Sequence, residues 1–318
     1  MRRVLLSLLL SWPLLSAAAP PAAETPLRLV ILSDFNGSYG SLTYPAALTR
    51  AVQRTVEEWK PDAVLSAGDL IAGQKASLSD STMRAMWASF DRDVYGPLQR
   101  AGIPFGFTLG NHDASLARDR REAARYWKAR PPALEFVERS SFPFQYSFTL
   151  GEGRVFVASL DASGSQVGAA AQSWLAAQLA TPQARRAGVR LVLGHLPLAG
   201  VSQGKNRPGE VLRDALALRT VMGKGKVLAY IHGHHAAFYP GRLGPLNVLS
   251  SGGIGGRDYV GYPGTARSTV NLLNVYPSAG RATFETFDAD TGAQVPSARL
   301  PARLSGLGGP LNRVDDFR

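Results

Sequence analysis

The sequence contains no cysteine. That excludes a disulfide framework, thiolate zinc sites, a cysteine nucleophile and a lipidated N-terminal cysteine. Lysine is scarce. Lys60, Lys75, Lys128, Lys205, Lys224 and Lys226 are the whole set, so the formal net charge of +11 is carried mostly by arginine. The arginines are scattered among alanine and leucine with no run longer than a pair. No basic stripe interleaved with aromatic residues is present, so no specific nucleic-acid-binding face is evident, and the basic balance reads mostly as a background trait that adds little in favour of an anionic substrate. Charged residues are only 19% and hydrophobic ones 45%, which is enough apolar material for a sizeable core and excludes disorder as the main state.

Long hydrophobic runs are also missing. The longest is at the N-terminus, where Arg2-Arg3 precede an apolar stretch from Val4 to Leu15 and then Ser16-Ala17-Ala18-Ala19. A charged start, a short apolar middle and small residues at the end form an export-signal pattern, too short to span a bilayer comfortably. Residues 1–18 are therefore expected to be a signal peptide cut after Ala18, with 19–26 a linker, 27–287 a single domain and 288–318 a loosely packed Pro/Gly-rich tail. The expected location is periplasmic or secreted, with membrane contact only through an uncleaved signal segment.

Apolar runs and periodicity predict strands at 27–32, 63–67, 104–108, 145–149, 155–160, 189–193, 227–231, 246–250, 269–275 and 282–287, with helices at 46–59, 81–98, 117–129, 172–179 and 210–222. Polar clusters fall just after the apolar strands: Asp34, Asp69, Asn111-His112, His195 and His234. The chain has five histidines, His112, His195, His232, His234 and His235, and each falls at such a point. One histidine in a loop needs no explanation. Five of five at strand ends point to one shared site, because functional crevices in layered α/β folds lie outside strand C-terminal ends.

The stretches Ser33-Asp34-Phe35-Asn36, Gly68-Asp69, Gly110-Asn111-His112-Asp113, Gly194-His195 and Gly233-His234-His235-Ala236 resemble the calcineurin-like metallophosphoesterase family. That family's pattern is Asp-x-His, Gly-Asp, Gly-Asn-His-Asp/Glu, a lone histidine, then Gly-His-x-His. The resemblance spans roughly residues 27–287. It implies an α/β fold, a four-layer α/β/β/α sandwich of two mixed sheets flanked by helices, with the metal site at strand C-terminal ends. It further implies divalent metal ions (manganese, iron, zinc or magnesium) and hydrolysis of a phosphate mono- or diester by a metal-bound hydroxide. Asp69 matches the bridging carboxylate. Asp69, Asn111, His195 and His234 match the second metal's ligands, and Asp34 and Asn36 fall in the first metal's motif. His112 matches the catalytic histidine, with Asp113 expected to orient its ring.

Two positions depart from the pattern. Asn36 and Ala236 stand where the family has the first metal's histidines. A complete second site and a weaker, harder first site are expected, the latter suited to manganese or magnesium, or empty if Asn36-Gly37 is only a tight turn. His232 paired with His234 in another register, or His235 turned inward, are substitute ligands to consider. Arg257, in the Gly-rich loop Ser250–Arg257, is a candidate phosphate contact, and loops 39–44, 115–141 and 200–208 are candidates for specificity. A Ser33/His195/Asp69 triad lacks the Gly-x-Ser-x-Gly elbow. The rival to an exported phosphoesterase is a non-catalytic or single-metal binder of a phosphorylated ligand.

Overall fold

The computed structural model describes residues 24–318; the expected signal peptide lies outside the described residues. Leu27–Leu32 is apolar on nearly every residue, as a strand covered on both faces must be, and it forms β1 near the middle of a sheet. The later strands are β2 (Ala63–Ser66), β3 (Phe105–Phe107), β4 (Glu135–Ser141), β5 (Gln145–Leu150), β6 (Val155–Ser159), β7 (Val189–Leu193) and β8 (Ala229–His232). They continue with β9 (Phe238–Leu243), β10 (Leu246–Ser251), β11 (Thr269–Tyr276), β12 (Arg281–Asp288), β13 (Arg303–Gly306), β14 (Gly309–Arg313) and β15 (Asp316–Phe317).

Among the described residues these strands make two mixed sheets. A six-stranded sheet has the order β15-β12-β11-β1-β2-β3, and a nine-stranded sheet the order β13-β14-β9-β10-β8-β7-β6-β5-β4. β1, β2 and β3 are parallel in the first, and β6, β7, β8 and β10 are parallel in the second. The sheets join face to face: Phe107 N–H donates to the Tyr146 hydroxyl at 2.9 Å, and that hydroxyl donates back to Phe107 C=O at 2.6 Å. On the outer side of the first sheet, Trp127 of helix Ala117–Ala129 stacks on Phe107 at 3.9 Å, with Trp87 and Phe90 of helix Asp80–Phe90 beside it. Helices Gly168–Leu179 and Ala215–Lys224 cover the second sheet. This is the expected α/β/β/α sandwich.

The C-terminal segment differs from expectation. Residues 288–318 are not a loose tail: β14 extends the second sheet beside β9, β15 pairs with β12 in the first, and Leu304, Leu311 and Phe317 are buried. These strands are two to five residues long and interrupted by glycine and Pro310, too short for an alternating pattern to show. β9 went unpredicted for the same reason, since Pro240-Gly241 interrupts it. Among the described residues no helix is long and apolar enough to cross a membrane.

Candidate metal centre

The parallel strands of both sheets deliver their C-terminal ends to one crevice. Asp34 follows β1, Asp69 follows β2, Asn111 and His112 follow β3, His195 follows β7 and His234 follows β8. Asp34, Asp69 and His234 have left-handed backbones, with φ of 52°, 57° and 67°. Non-glycine residues hold this conformation at about 1–3 kcal/mol each, and they concentrate where a fold over-determines a functional geometry. The motif glycines allow close approach. A Cβ on Gly68 would lie 2.7 Å from both Gly110 N and His195 Nδ1, so Gly-Asp and Gly-Asn-His-Asp interlock only without side chains there.

Three ligand atoms of Asp69, His195 and His234 lie within 4.8 Å of one another. His195 is fully buried. Its Nδ1–H donates to Ala67 C=O at 2.7 Å, which leaves Nε2 facing Asn111 Oδ1 at 2.9 Å and Asp69 Oδ1 at 3.3 Å. Asn111 Nδ2 donates to Gln74 Oε1 at 2.8 Å, which turns the Asn111 amide oxygen inward. His234 Nε2–H donates to Glu210 Oε2 at 2.7 Å and so presents Nδ1. Each donor is therefore fixed by a partner behind it, the arrangement that orients metal ligands. The second-site residues fit a divalent ion.

Charge supports the same reading. Burial alone would raise Asp69, but His195 and His112 hold its carboxyl well below the usual range. Burial pulls His195 down, yet Asp69 and Asp34 raise it to about 9. His234 is pulled to about 4 by burial, while its hydrogen bond holds Glu210 near 2, so a neutral imidazole faces an ionised carboxylate at neutral pH.

The first-site residues do not fit a second ion. Asp34 and Asn36 line the cavity, but Asp34 lies outside the ligand cluster. Its Oδ2 accepts from Ser33 Oγ at 2.7 Å and His234 N–H at 3.1 Å, and burial pushes its carboxyl up to about 6. Ala236 keeps a left-handed backbone, φ 45°, without a ligand side chain. The proposed substitutes do not fill the gap. His232 is a core histidine outside the ligand cluster, its Nδ1 donating to Gly233 C=O at 2.9 Å. His235 has both nitrogens engaged: Nδ1 accepts from Val201 and Ser202 N–H at 3.0 and 3.1 Å, and Nε2 donates to Glu210 C=O at 3.0 Å.

His112 lines the cavity, its ring stacked on Tyr39 with centroids 5.1 Å apart. Its Nδ1 is buried without a partner, so Nε2 is the nitrogen open to the cavity. Asp113 does not orient it. That carboxylate accepts the N–H groups of Gly110, Leu70 and Ile71 at 2.8, 2.9 and 3.0 Å and ties the β2 and β3 loops together. Burial and the nearby Asp69 push the Asp113 carboxyl up to about 7, against the pull of those three donors.

The cavity holds about 620 Å³, and its lining includes Lys205, Arg207, Glu210 and Arg257. Lys205 Nζ donates to His234 Nδ1 at 3.2 Å and lies 3.8 Å from Glu210 Oε2. Lys205 falls in a loop expected to set specificity. Glu210 and Gln74 carried no signal in the sequence, because each meets its partner across more than twenty residues of chain.

Two layered sheets with an Asp, Asn and His cluster at their strand ends define a metallophosphoesterase-type centre. The chain belongs to the calcineurin-like phosphoesterase family, which it matches over residues 27–238. No curated protein matches it. Its fold is similar to a purple acid phosphatase from yellow lupin (Lupinus luteus) seeds, at 16% identity and TM-score 0.61 over 87% of this chain and 54% of that one. The chain thus spans about half the length of the lupin protein. It is also similar to a dimetal phosphatase from Danio rerio (14%, TM-score 0.54, 92% and 98% covered) and to GAP50, the anchor in the inner membrane complex of Plasmodium (15%, TM-score 0.56, 86% and 88%).

Proposed function

We propose that this protein is an exported, metal-dependent phosphoesterase acting on a phosphate mono- or diester. One observation carries the reading: Asp69, Asn111, His195 and His234 turn their donors together beside His112, in a cavity bordered by Lys205, Arg207 and Arg257. The likeness of fold to two phosphatases supports it. A divalent ion at those ligands would supply Lewis acidity, polarising a phosphoryl oxygen and making a water more acidic. The chain's residues supply the remainder. The Lys205, Arg207 and Arg257 cations attract and orient a phosphate group in a partly enclosed site. Asp69, with its carboxyl ionised far below neutral pH, contributes fixed negative charge opposite them.

His112 is held on the cavity wall by Tyr39, and burial lowers its pKa. An anionic substrate beside the ring offsets that penalty, so Nε2 can take up a proton on binding and pass it to the leaving oxygen. The test is turnover of p-nitrophenyl phosphate and bis(p-nitrophenyl) phosphate with manganese, iron, zinc or magnesium added in turn. Hydrolysis above the metal-only blank supports the reading. Failure in every metal, with phosphate still bound, leaves the single-metal ligand-binding role that Ala236 favours. For export, N-terminal sequencing of protein from its native host is expected to begin near Ala19, whereas an intact Met1 on soluble protein would remove that element.

A further inference from the structure

The first-metal position lacks its ion's ligands, and a lysine ammonium lines the same cavity. We infer that this chain works with one divalent ion, and that the Lys205 ammonium supplies the second positive charge facing the phosphoryl group. The inference rests on the phosphoesterase reading and concerns how the same site is built.

Among the described residues, neither His232 nor His235 joins Asp34 in a ligand cluster. The backbone at Gly253 packs so closely that a Cβ there would sit 2.8 Å from Asp34 Cβ and 3.3 Å from Ala236 Cβ. Gly253 therefore brings no side chain to that spot. Ser33 and Ser251, the hydroxyls next to Asp34, lie 2.6 Å apart and are both engaged, Ser33 donating to Asp34 Oδ2 at 2.7 Å and Ser251 to His232 C=O at 2.9 Å. Asp34 and Asp69 are left as two buried carboxylates on one cavity, and buried charge needs a compensating partner.

His195 faces Asp69 at 3.3 Å, and Lys205, which both carboxylates attract, adds a second positive charge. Lys205 lines the same cavity, and without metal its ammonium rests 3.2 Å from His234 Nδ1, the nitrogen an ion would take, so an ion bound there displaces the ammonium within the cavity. The loop that carries it is anchored from the site itself. His235, next to the ligand His234, accepts from the N–H groups of Val201 and Ser202 and donates to Glu210 C=O. The segment Gly233-His234-His235-Ala236 thus provides a ligand, an anchor for the lysine loop and a gap. A tethered ammonium carries its positive charge on the chain itself and has N–H donors for phosphoryl oxygens, whereas a weakly held second ion would exchange with solvent.

The experiment counts metal and measures anion binding separately. Protein dialysed exhaustively and then titrated with manganese or zinc is analysed by mass spectrometry of the elements. One ion per chain is expected, and two would overturn the inference. Inorganic phosphate binding is then measured by calorimetry on the one-metal protein, its Lys205→Met variant and its Lys205→Arg variant. Lys205→Met keeps most of the apolar stem and is expected to retain one metal, while phosphate affinity falls at least tenfold and kcat falls about 10²–10³-fold, the usual loss for one transition-state charge contact. Lys205→Arg is expected to recover part of both. Unchanged phosphate affinity in Lys205→Met, or tighter metal with faster turnover, would make Lys205 a competitor for His234 instead and overturn the inference. Should the protein bind phosphate through Lys205 but hydrolyse no ester, the phosphoesterase reading fails while the single-metal, lysine-completed site stands.

Discussion

His234 gives its Nε2–H to Glu210 Oε2 at 2.7 Å, and that bond decides which ring nitrogen is left for the cavity. Glu210→Ala removes the acceptor and frees the ring to rotate or change tautomer. Metal affinity is expected to fall about 10–100-fold, the range for losing a group that orients a ligand. Glu210→Gln, which keeps an acceptor oxygen, is expected to lose less. Competition against a chelator measures both.

Asp113 is expected to act on stability. Asp113→Ala leaves the N–H groups of Gly110, Leu70 and Ile71 without their acceptor in a buried site. The expected cost is at least about 3 kcal/mol, read from the denaturant midpoint. Were Asp113 instead the group that orients His112, the variant would lose turnover and keep its stability.

His112→Ala is expected to lower kcat about 10²–10⁴-fold with metal content unchanged. The loss should shrink for esters with acidic leaving groups, which need little protonation, and equal losses across leaving groups would argue against the proton-donor role. Tyr39→Ala removes the stacked ring and is expected to give a smaller loss with the same dependence on leaving group.

Metal uptake is expected to depend on pH through His195. Without metal, burial lowers this ring but Asp69 and Asp34 raise it from 6.5 to about 9, so at neutral pH it carries a proton where the ion must bind. Since the folded value is the higher one, the stability from that proton is complete below 6.5 and is lost as pH rises through about 9. Apparent metal affinity should therefore climb with pH until about 9 and then level, with about one proton released per ion near pH 7. Calorimetry in buffers of different ionisation enthalpy counts that proton.

Much of this centre could be read from the chain because its ligands follow apolar strands. Asp34, Asp69, Asn111, His195 and His234 all come directly after segments whose hydrophobicity marks them as buried strands. What surrounds them could not be read, because it depends on distant loops. Gln74 meets Asn111, and Glu210 meets His234, through contacts that leave no local pattern. Adjacency misled in two places. Asp113 directly follows His112 at the start of a helix, where successive side chains point about 100° apart, so it caps the turn instead of touching the ring. His235 likewise diverges from His234 and holds a loop.

The two absent histidines give the last prediction. Asn36→His with Ala236→His restores the usual side chains, and both positions border the cavity. If ligands alone were missing, metal analysis after exhaustive dialysis would rise from one ion towards two. Lys205 opposes that rise, since its ammonium lies in the same cavity and repels a further cation. The double variant is therefore expected to stay close to one ion per chain. Adding Lys205→Ala should then raise the count, because the two carboxylates of Asp34 and Asp69 lose their compensating charge at the moment two imidazoles become available. Two tightly held ions in the double variant with Lys205 intact would show that ligand loss alone emptied the first site.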